Sequence, residues 1–132
     1  MPEYEKTSHS VFSLTYHLVI CVKYRKKLVN NEIGSLIFTV AKQVTTTYSI
    51  SALEYNHDKD HVHFLLKASP SSNLARFVGV LKSRSSRLVK DTFPWVRRYL
   101  WKEHFWSPSY CLLTTGGAPL CVIKEYIQQQ GR

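Results

Sequence analysis

The sequence predicts an α+β fold of the ferredoxin-like or RNA-recognition-like type: an antiparallel sheet with helices on one face and an added C-terminal helix. Three observations support this prediction. Hydrophobic residues alternate in strand-like segments, they recur at helical spacing in the segments between, and Gly or Pro residues separate the last elements. The resulting order, β-α-β-β-α-β-α, is that of such a sheet with one helix appended.

The first strand and the first helix show different periodicities. Apolar residues alternate from Phe12 to Val22, and the basic segment Lys23–Lys27 then forms a turn. Apolar residues next recur at helical spacing from Ile33 to Tyr48, after Asn31, which we take as the N-cap. We expect this periodicity to outweigh the low helix propensity of the threonines at 45–47.

A hairpin and a second helix follow. Ser49–Tyr55 and His61–Lys67 flank the polar segment Asn56–Asp60, which predicts two antiparallel strands joined by a turn. Asn73 is the expected N-cap of the second helix, which ends before Pro94. Its predicted apolar stripe consists of Leu74, Phe77, Val78, Leu81, Leu88 and Val89.

The last strand is predicted at Ser109–Thr115. Gly116-Gly117 breaks it, and Pro119 starts the terminal helix. On that helix, Tyr126 and Gln130 are four residues apart and therefore project from one side, at the border of an apolar stripe. From spacing alone, Tyr126 is equally well an amphipathic edge residue and Gln130 a frayed polar one.

Length and composition predict one domain, residues 1–132, without a membrane segment. At 44% hydrophobic, 132 residues can bury one core but hardly two. Residues 1–7 lack an apolar signal core, and no segment approaches the roughly 20 apolar residues of a membrane span. We therefore expect a cytoplasmic protein. Three cysteines without a Cys-x-x-Cys pair indicate neither a disulfide framework nor a structural zinc site.

The charge balance indicates a polyanionic partner. Lys and Arg number 18 against 9 Asp and Glu, a formal charge of +9, and aromatic residues are interleaved with the basic ones. This combination suits phosphate contact with base stacking, so we expect nucleic acid rather than a membrane surface. The candidate DNA contacts, each equally well a solvated surface residue, are Lys23, Tyr24, Arg25, Lys26, Arg84 and Arg87.

The most informative motif is His61-Val62-His63. Alternate residues of a strand share a face, so two imidazoles can converge on one ion. The plainer interpretation, a half-buried polar histidine making one hydrogen bond, has about equal weight for the pair alone.

Six motifs in a specific joint order carry a family resemblance over nearly the whole chain. They are Tyr16-His17-Leu18-Val19 before Lys23-Tyr24-Arg25-Lys26-Lys27, Asp58-Lys59-Asp60-His61-Val62-His63, Lys82-Ser83-Arg84-Ser85-Ser86-Arg87-Leu88, Leu100-Trp101, Gly116-Gly117-Ala118-Pro119-Leu120, and Val122-Ile123-Lys124-Glu125-Tyr126-Ile127-Gln128-Gln129-Gln130. In these motifs the chain resembles the single-tyrosine transposases of the His-hydrophobe-His superfamily, the insertion-sequence 200-like group.

The resemblance implies an enzyme that cleaves and rejoins single-stranded DNA at the hairpin-bearing ends of an insertion sequence. Tyr126 would be the nucleophile and would form a 5′-phosphotyrosine linkage. His61, His63 and Gln130 would bind a divalent metal, Mg²⁺ or Mn²⁺, with Gln129 as an alternative to Gln130. No small-molecule cofactor is implied.

The resemblance also implies a homodimer in which the histidine pair of one subunit meets the tyrosine helix of the other. A monomer with a cis site remains physically possible. The proton acceptor for the tyrosine is open, with Asp58, Asp60 and Lys124 as candidates by motif only.

Two other functions stay as alternatives. A non-catalytic nucleic-acid-binding module would use the same sheet and the same basicity, but the metal and tyrosine set argues against it. A replication or conjugation nickase of the same superfamily would share the histidine pair. The position of Tyr126 and Gln130 after Gly116-Gly117 favours transposition.

Overall fold

The structure is a computed structural model, and it describes residues 14–69, 71–114 and 120–121. Their five strands form one antiparallel sheet in the order β2-β3-β1-β4-β5. The elements are β1 (Leu14–Val22), α1 (Asn31–Thr47), β2 (Ile50–His57), β3 (His61–Ala68), α2 (Leu74–Thr92), β4 (Trp106–Thr114) and β5 (Leu120–Cys121), with short 3-10 helices at Lys23–Arg25 and Pro94–Tyr99. The first four strands have ferredoxin-like topology, as predicted.

The hydrophobic core lies between one face of the sheet and the two long helices. Alternate residues of the two central strands are fully buried there: Leu18, Ile20 and Val22 from β1, and Val62, Phe64 and Leu66 from β3. Helix α1 adds Ile33, Ile37, Val40 and Val44, and α2 adds Phe77, Val78, Leu81 and Val89. Because side chains alternate along a strand, the intervening residues of β1 and β3 lie on the opposite face.

Both long helices begin at asparagine caps. The side chain of Asn73 accepts a hydrogen bond from the Arg76 amide at 3.0 Å, which confirms its predicted role. For α1 the predicted cap was one residue too late. Asn30, not Asn31, accepts a hydrogen bond from the Ile33 amide, at 2.8 Å. Two adjacent asparagines satisfy the same sequence rule, and only the extended backbone of Asn30 allows the cap geometry.

Strand β4 begins at Trp106, three positions before the predicted start at Ser109. The indole N–H of Trp106 donates to the Ser85 hydroxyl at 2.9 Å, and both side chains are buried. Ser85 therefore occupies the buried stripe of α2, whereas Leu88, assigned to that stripe by its hydrophobicity, is 39% exposed.

The region after β4 differs from the prediction. Leu120 and Cys121, which we expected in the first turn of the terminal helix, pair instead with Leu112 and Cys111 as strand β5. Cys111 is disulfide-bonded, which the number and spacing of the cysteines had not indicated, and Cys21 carries a free buried thiol. Several predicted features lie outside the described residues. They are Gly116, Gly117, the rest of the predicted tyrosine helix, and its two site residues, Tyr126 and Gln130.

Candidate metal and strand-cleavage site

The two predicted metal ligands lie together on β3. His61 and His63 are partly exposed on the face of the sheet opposite the helices, and Val62 between them is fully buried in the core. The polar turn at residues 58–60 comes directly before them. The alternation of the strand therefore places two imidazoles on one accessible surface, as the sequence predicted.

The His61 ring is oriented by a carboxylate. Its Nδ1 lies 2.9 Å from Asp60 Oδ1. The other oxygen, Asp60 Oδ2, accepts hydrogen bonds from Arg25 Nε at 2.9 Å and Arg25 Nη2 at 2.8 Å. A histidine whose Nδ1–H is donated to a carboxylate keeps the lone pair of Nε2 for a metal ion.

These contacts determine the ionisation of Asp60. Its partial burial acts to raise the pKa, but the hydrogen bond from His61 and the charge and hydrogen bonds of Arg25 outweigh burial, so the pKa of Asp60 is lowered. The carboxylate is therefore charged and engaged on both oxygens. These properties suit an orienting group better than the proton acceptor for a tyrosine.

His17, which we had not assigned to the site, contacts His63. His17 Nδ1 lies 2.9 Å from His63 Nε2, and the rings are parallel with centroids 5.1 Å apart. His17 lies opposite Leu65, and His63 opposite Val19, so the two histidines are diagonal neighbours across β1 and β3. The signal was available, because position 17 is out of phase with Leu18, Ile20 and Val22, the residues of β1 that face the helices.

The neighbours of His63 favour its neutral form. Its pKa is lowered by partial burial, and further by the adjacent His17 and His61, with Glu54 acting in the opposite direction. Imidazole binds a metal ion in its neutral form. The electrostatic surroundings of His63 therefore suit a metal ligand.

The donor set fits a divalent ion in part. Two imidazoles on one face can supply nitrogen ligands. Within the described part of the chain, no hydrogen bond engages His61 Nε2, whereas His63 Nε2 lies 2.9 Å from His17 Nδ1. Within residues 14–69, 71–114 and 120–121, no group of three or more His, Cys, Asp or Glu forms a metal cluster. The predicted third ligand, Gln130, falls outside these ranges.

The predicted DNA contacts have different environments. Arg25 is paired with Asp60, whereas Lys26, Arg84 and Arg87 are exposed. Lys23 lies over the rings of Tyr24 and Trp101, with Nζ 5.3 and 5.7 Å from their centroids, and both rings are about half exposed. This group combines a cation with two aromatic faces, which suits an unpaired base.

A basic cleft of about 370 Å³ lies between α2 and the start of β4, and sequence reasoning had assigned only one of its cations. Its cationic lining residues are Lys82, Arg87 and Lys90, with His104 beside them, and Glu103 also lines the cleft with its Oε1 3.4 Å from Lys90 Nζ. Burial lowers the pKa of Lys82. The two cations that the sequence analysis did not assign, Lys82 and Lys90, lie on α2. Their spacing in the sequence does not distinguish them from other charged residues on the solvent-exposed side of a helix.

The fold combines an antiparallel sheet with helices on one face and a histidine pair on the opposite face. Residues 10–130 match the family model described as "Transposase IS200 like". The chain belongs to this family of IS200-like transposases, which are enzymes that cleave DNA and transfer its strands.

Two curated relatives agree with this assignment. The ISDra2 transposase TnpA of Deinococcus radiodurans is 32% identical over 128 residues, which span 97% of this chain and 91% of that protein. The transposase for insertion sequence element IS200 of Salmonella typhimurium is 25% identical over 130 residues, covering 98% and 85% of the two chains.

Solved structures share the fold. A crystal structure of a transposase from Deinococcus radiodurans superposes with a TM-score of 0.78 at 29% identity, covering 96% of this chain and 97% of that one. The structure of a REP-associated tyrosine transposase bound to a REP hairpin superposes with a TM-score of 0.60 at 11% identity, covering 98% and 68%. At that identity the second likeness shows the fold alone. Among the described residues, no helix is long and apolar enough to span a bilayer.

Proposed function

We propose that this transposase cleaves and rejoins single-stranded DNA at the hairpin-bearing ends of its insertion sequence through a 5′-phosphotyrosine intermediate on Tyr126. One observation carries the proposal. His61 and His63 share the accessible face of β3, and the Nδ1 of His61 contacts Asp60, so its Nε2 is the ring nitrogen that can meet an ion.

His61, His63 and Gln130 are the proposed ligands of a divalent ion, Mg²⁺ or Mn²⁺. When bound, the ion stabilises the negative charge that develops on the phosphoryl oxygens during cleavage. Imidazole ligands favour Mn²⁺ over Mg²⁺, which prefers oxygen. The role of the protein is to hold two imidazoles on a central strand and to keep one nitrogen of His61 accessible.

The proposed covalent step balances without an external energy source. The Tyr126 oxygen loses its proton and forms a bond to phosphorus, while the bond from phosphorus to the 3′-oxygen breaks. The products are a 5′-phosphotyrosine and a free 3′-hydroxyl. Attack by a 3′-hydroxyl on this linkage reverses the step and joins strands, so no nucleotide cofactor is needed.

Two surfaces on the described residues suit the DNA. The cleft that contains Lys82, Arg87 and Lys90 can follow a phosphate backbone, because its cations are spaced along one helix. Lys23 with the exposed rings of Tyr24 and Trp101 can hold an unpaired base. A hairpin flanked by single strand offers both kinds of contact.

Assembly and location complete the proposal. We propose a homodimer in the cytoplasm, with the histidine pair of one subunit facing Tyr126 of the other. Mixing a His61→Ala subunit with a Tyr126→Phe subunit tests the trans arrangement. Recovery of cleavage in the mixture supports trans sites, and no recovery supports a cis site.

The test of the function is a covalent adduct. The protein is incubated with single-stranded top or bottom strands of its element's ends, with Mn²⁺ or EDTA, and analysed by denaturing electrophoresis. We expect an adduct that requires metal, forms on one strand and is absent for Tyr126→Phe. Tyr99→Phe is the matched control, because Tyr99 is an exposed tyrosine on a 3-10 helix and has no proposed role in cleavage.

Three outcomes would contradict the proposal. Tight hairpin binding without any adduct would indicate a binding module. An adduct retained in Tyr126→Phe would assign the nucleophile to another residue. Cleavage that never rejoins added 3′-hydroxyl strands would indicate a nickase.

A further inference from the structure

We infer that Arg25 and Asp60 are positioning residues that hold His61 with its Nε2 available to the metal ion, an inference that rests on the metal site of the proposed function. Neither residue would touch the ion or the DNA. The inference gives Arg25 a role different from the phosphate contact predicted from its place in a basic segment.

The three side chains form a continuous chain of contacts. His61 Nδ1 meets Asp60 Oδ1 at 2.9 Å, and Asp60 Oδ2 accepts two hydrogen bonds from the Arg25 guanidinium at 2.8 and 2.9 Å. The side chain of Asp60 is only 14% exposed, so water competes weakly for its oxygens. The carboxylate therefore has one orientation, and the ring of His61 follows it.

The backbone at Arg25 has an unusual conformation where this contact forms. Tyr24 and Arg25 adopt φ values of 58° and 55°, in the left-handed region that residues other than glycine rarely enter. Such a conformation persists only where surrounding contacts impose it. The contacts that do so here include the ion pair of Arg25 with Asp60, which lies in the turn before β3.

Backbone hydrogen bonds join the two turns directly. The Val22 amide donates to the Asp60 carbonyl at 2.9 Å, and the Val29 amide donates to the Lys59 carbonyl at 2.9 Å. These bonds lie on either side of the segment that carries Arg25. The guanidinium, the carboxylate and the imidazole are thus held in register by the main chain as well as by their own contacts.

The consequence is a defined tautomer. A carboxylate accepts only, so His61 must place a proton on Nδ1 to make this hydrogen bond. The lone pair then resides on Nε2. Loss of the carboxylate would allow the ring to rotate and the proton to move to either nitrogen, which weakens the ligand without removing it.

The first experiment measures the tautomer in the metal-free protein by long-range ¹H–¹⁵N NMR of the imidazole rings, and Mn²⁺ affinity by electron paramagnetic resonance. For wild type we expect a proton on His61 Nδ1. For Asp60→Ala we expect a mixed tautomer and an affinity for Mn²⁺ lower by about 10- to 100-fold. Asp58→Ala is the matched control, because Asp58 lies in the same turn but accepts from the Lys59 amide.

The outcomes separate the inference from the metal site itself. A wild-type His61 with its proton on Nε2, or equal Mn²⁺ affinities in Asp60→Ala and Asp58→Ala, would overturn the positioning role. Wild-type protein that binds no Mn²⁺ would overturn the metal site, whatever the tautomer. Circular dichroism of each variant ensures that the comparison concerns folded protein.

A second experiment distinguishes the two roles of Arg25. If Arg25 positions His61, Arg25→Ala weakens Mn²⁺ binding and leaves the salt dependence of DNA binding unchanged. If Arg25 contacts a phosphate, the slope of log affinity against log salt falls by about one unit and Mn²⁺ binding is unaffected. Arg84→Ala, an exposed arginine of α2 far from this ion pair in sequence, is the comparison variant.

Discussion

The two faces of the sheet show how one strand serves both folding and chemistry. On β3, Val62, Phe64 and Leu66 point into the core and are fully buried, whereas His61 and His63 lie on the opposite face and are partly exposed. Neighbouring residues thus contribute to different properties of the protein, because successive side chains of a strand point to opposite faces of the sheet. The core face sets the stability, and the opposite face carries the candidate site.

The largest effect on stability is expected from the core face. Phe64→Ala removes a fully buried ring that packs against Tyr55, with centroids 4.9 Å apart, and should lower the free energy of unfolding by about 3–5 kcal/mol. Leu65→Ala, the next residue on the opposite face, should cost about 1 kcal/mol. Urea denaturation of both variants checks the difference. Similar losses of unfolding free energy in the two variants would show that the core face does not contribute more to stability than the opposite face.

The largest effect on activity is expected from the opposite face. His63→Ala should reduce DNA cleavage by about 10²- to 10³-fold, because one of the two proposed imidazole ligands is lost, with little change in stability. Lys67→Ala changes the same face of the same strand and should stay within a few-fold of wild type. Adduct yield and thermal unfolding are measured together. A large fall in stability of His63→Ala would assign the histidine a structural role instead.

A buried hydrogen bond between Trp106 and Ser85 of α2 extends the comparison of the two faces. Trp106→Phe removes the indole N–H that donates to buried Ser85 and should cost about 1–2 kcal/mol. Ser85→Ala leaves the same N–H unsatisfied and should cost about 1–3 kcal/mol. The double variant should cost less than the sum, as determined by a cycle of urea denaturation curves. Full additivity would show that the hydrogen bond contributes nothing.

Sequence periodicity predicted the elements that depend on local pattern. The alternation in β1, the hairpin of β2 and β3 and the cap Asn73 were correct, because each follows from side-chain phase or from a local hydrogen bond. The same phase brought His61 and His63 onto one face. These features need no knowledge of which strands become neighbours.

The parts that sequence reasoning missed depend on contacts between distant segments. His17 reaches His63 only because β1 pairs with β3, and Arg25 reaches Asp60 only through a left-handed turn that no propensity predicts. Strand β4 begins as early as Trp106 because this residue pairs with Val22 of β1. Strand β5 replaces the start of a predicted helix for the same reason, since pairing with β4 outweighs the local signal of Pro119.

The smallest expected effect concerns Lys82 of α2, whose pKa is lowered by burial. A lysine with a lowered pKa destabilises the fold while it is charged, and this penalty disappears as pH rises above the ordinary value of 10.5. Lys82→Met should therefore raise the free energy of unfolding at pH 7 by up to about 1 kcal/mol. The gain over wild type should shrink towards high pH. Lys42→Met, at an exposed position of α1, should show no such gain. An equal gain in both variants would show that the added hydrophobic side chain, and not the removal of a buried charge, causes the effect.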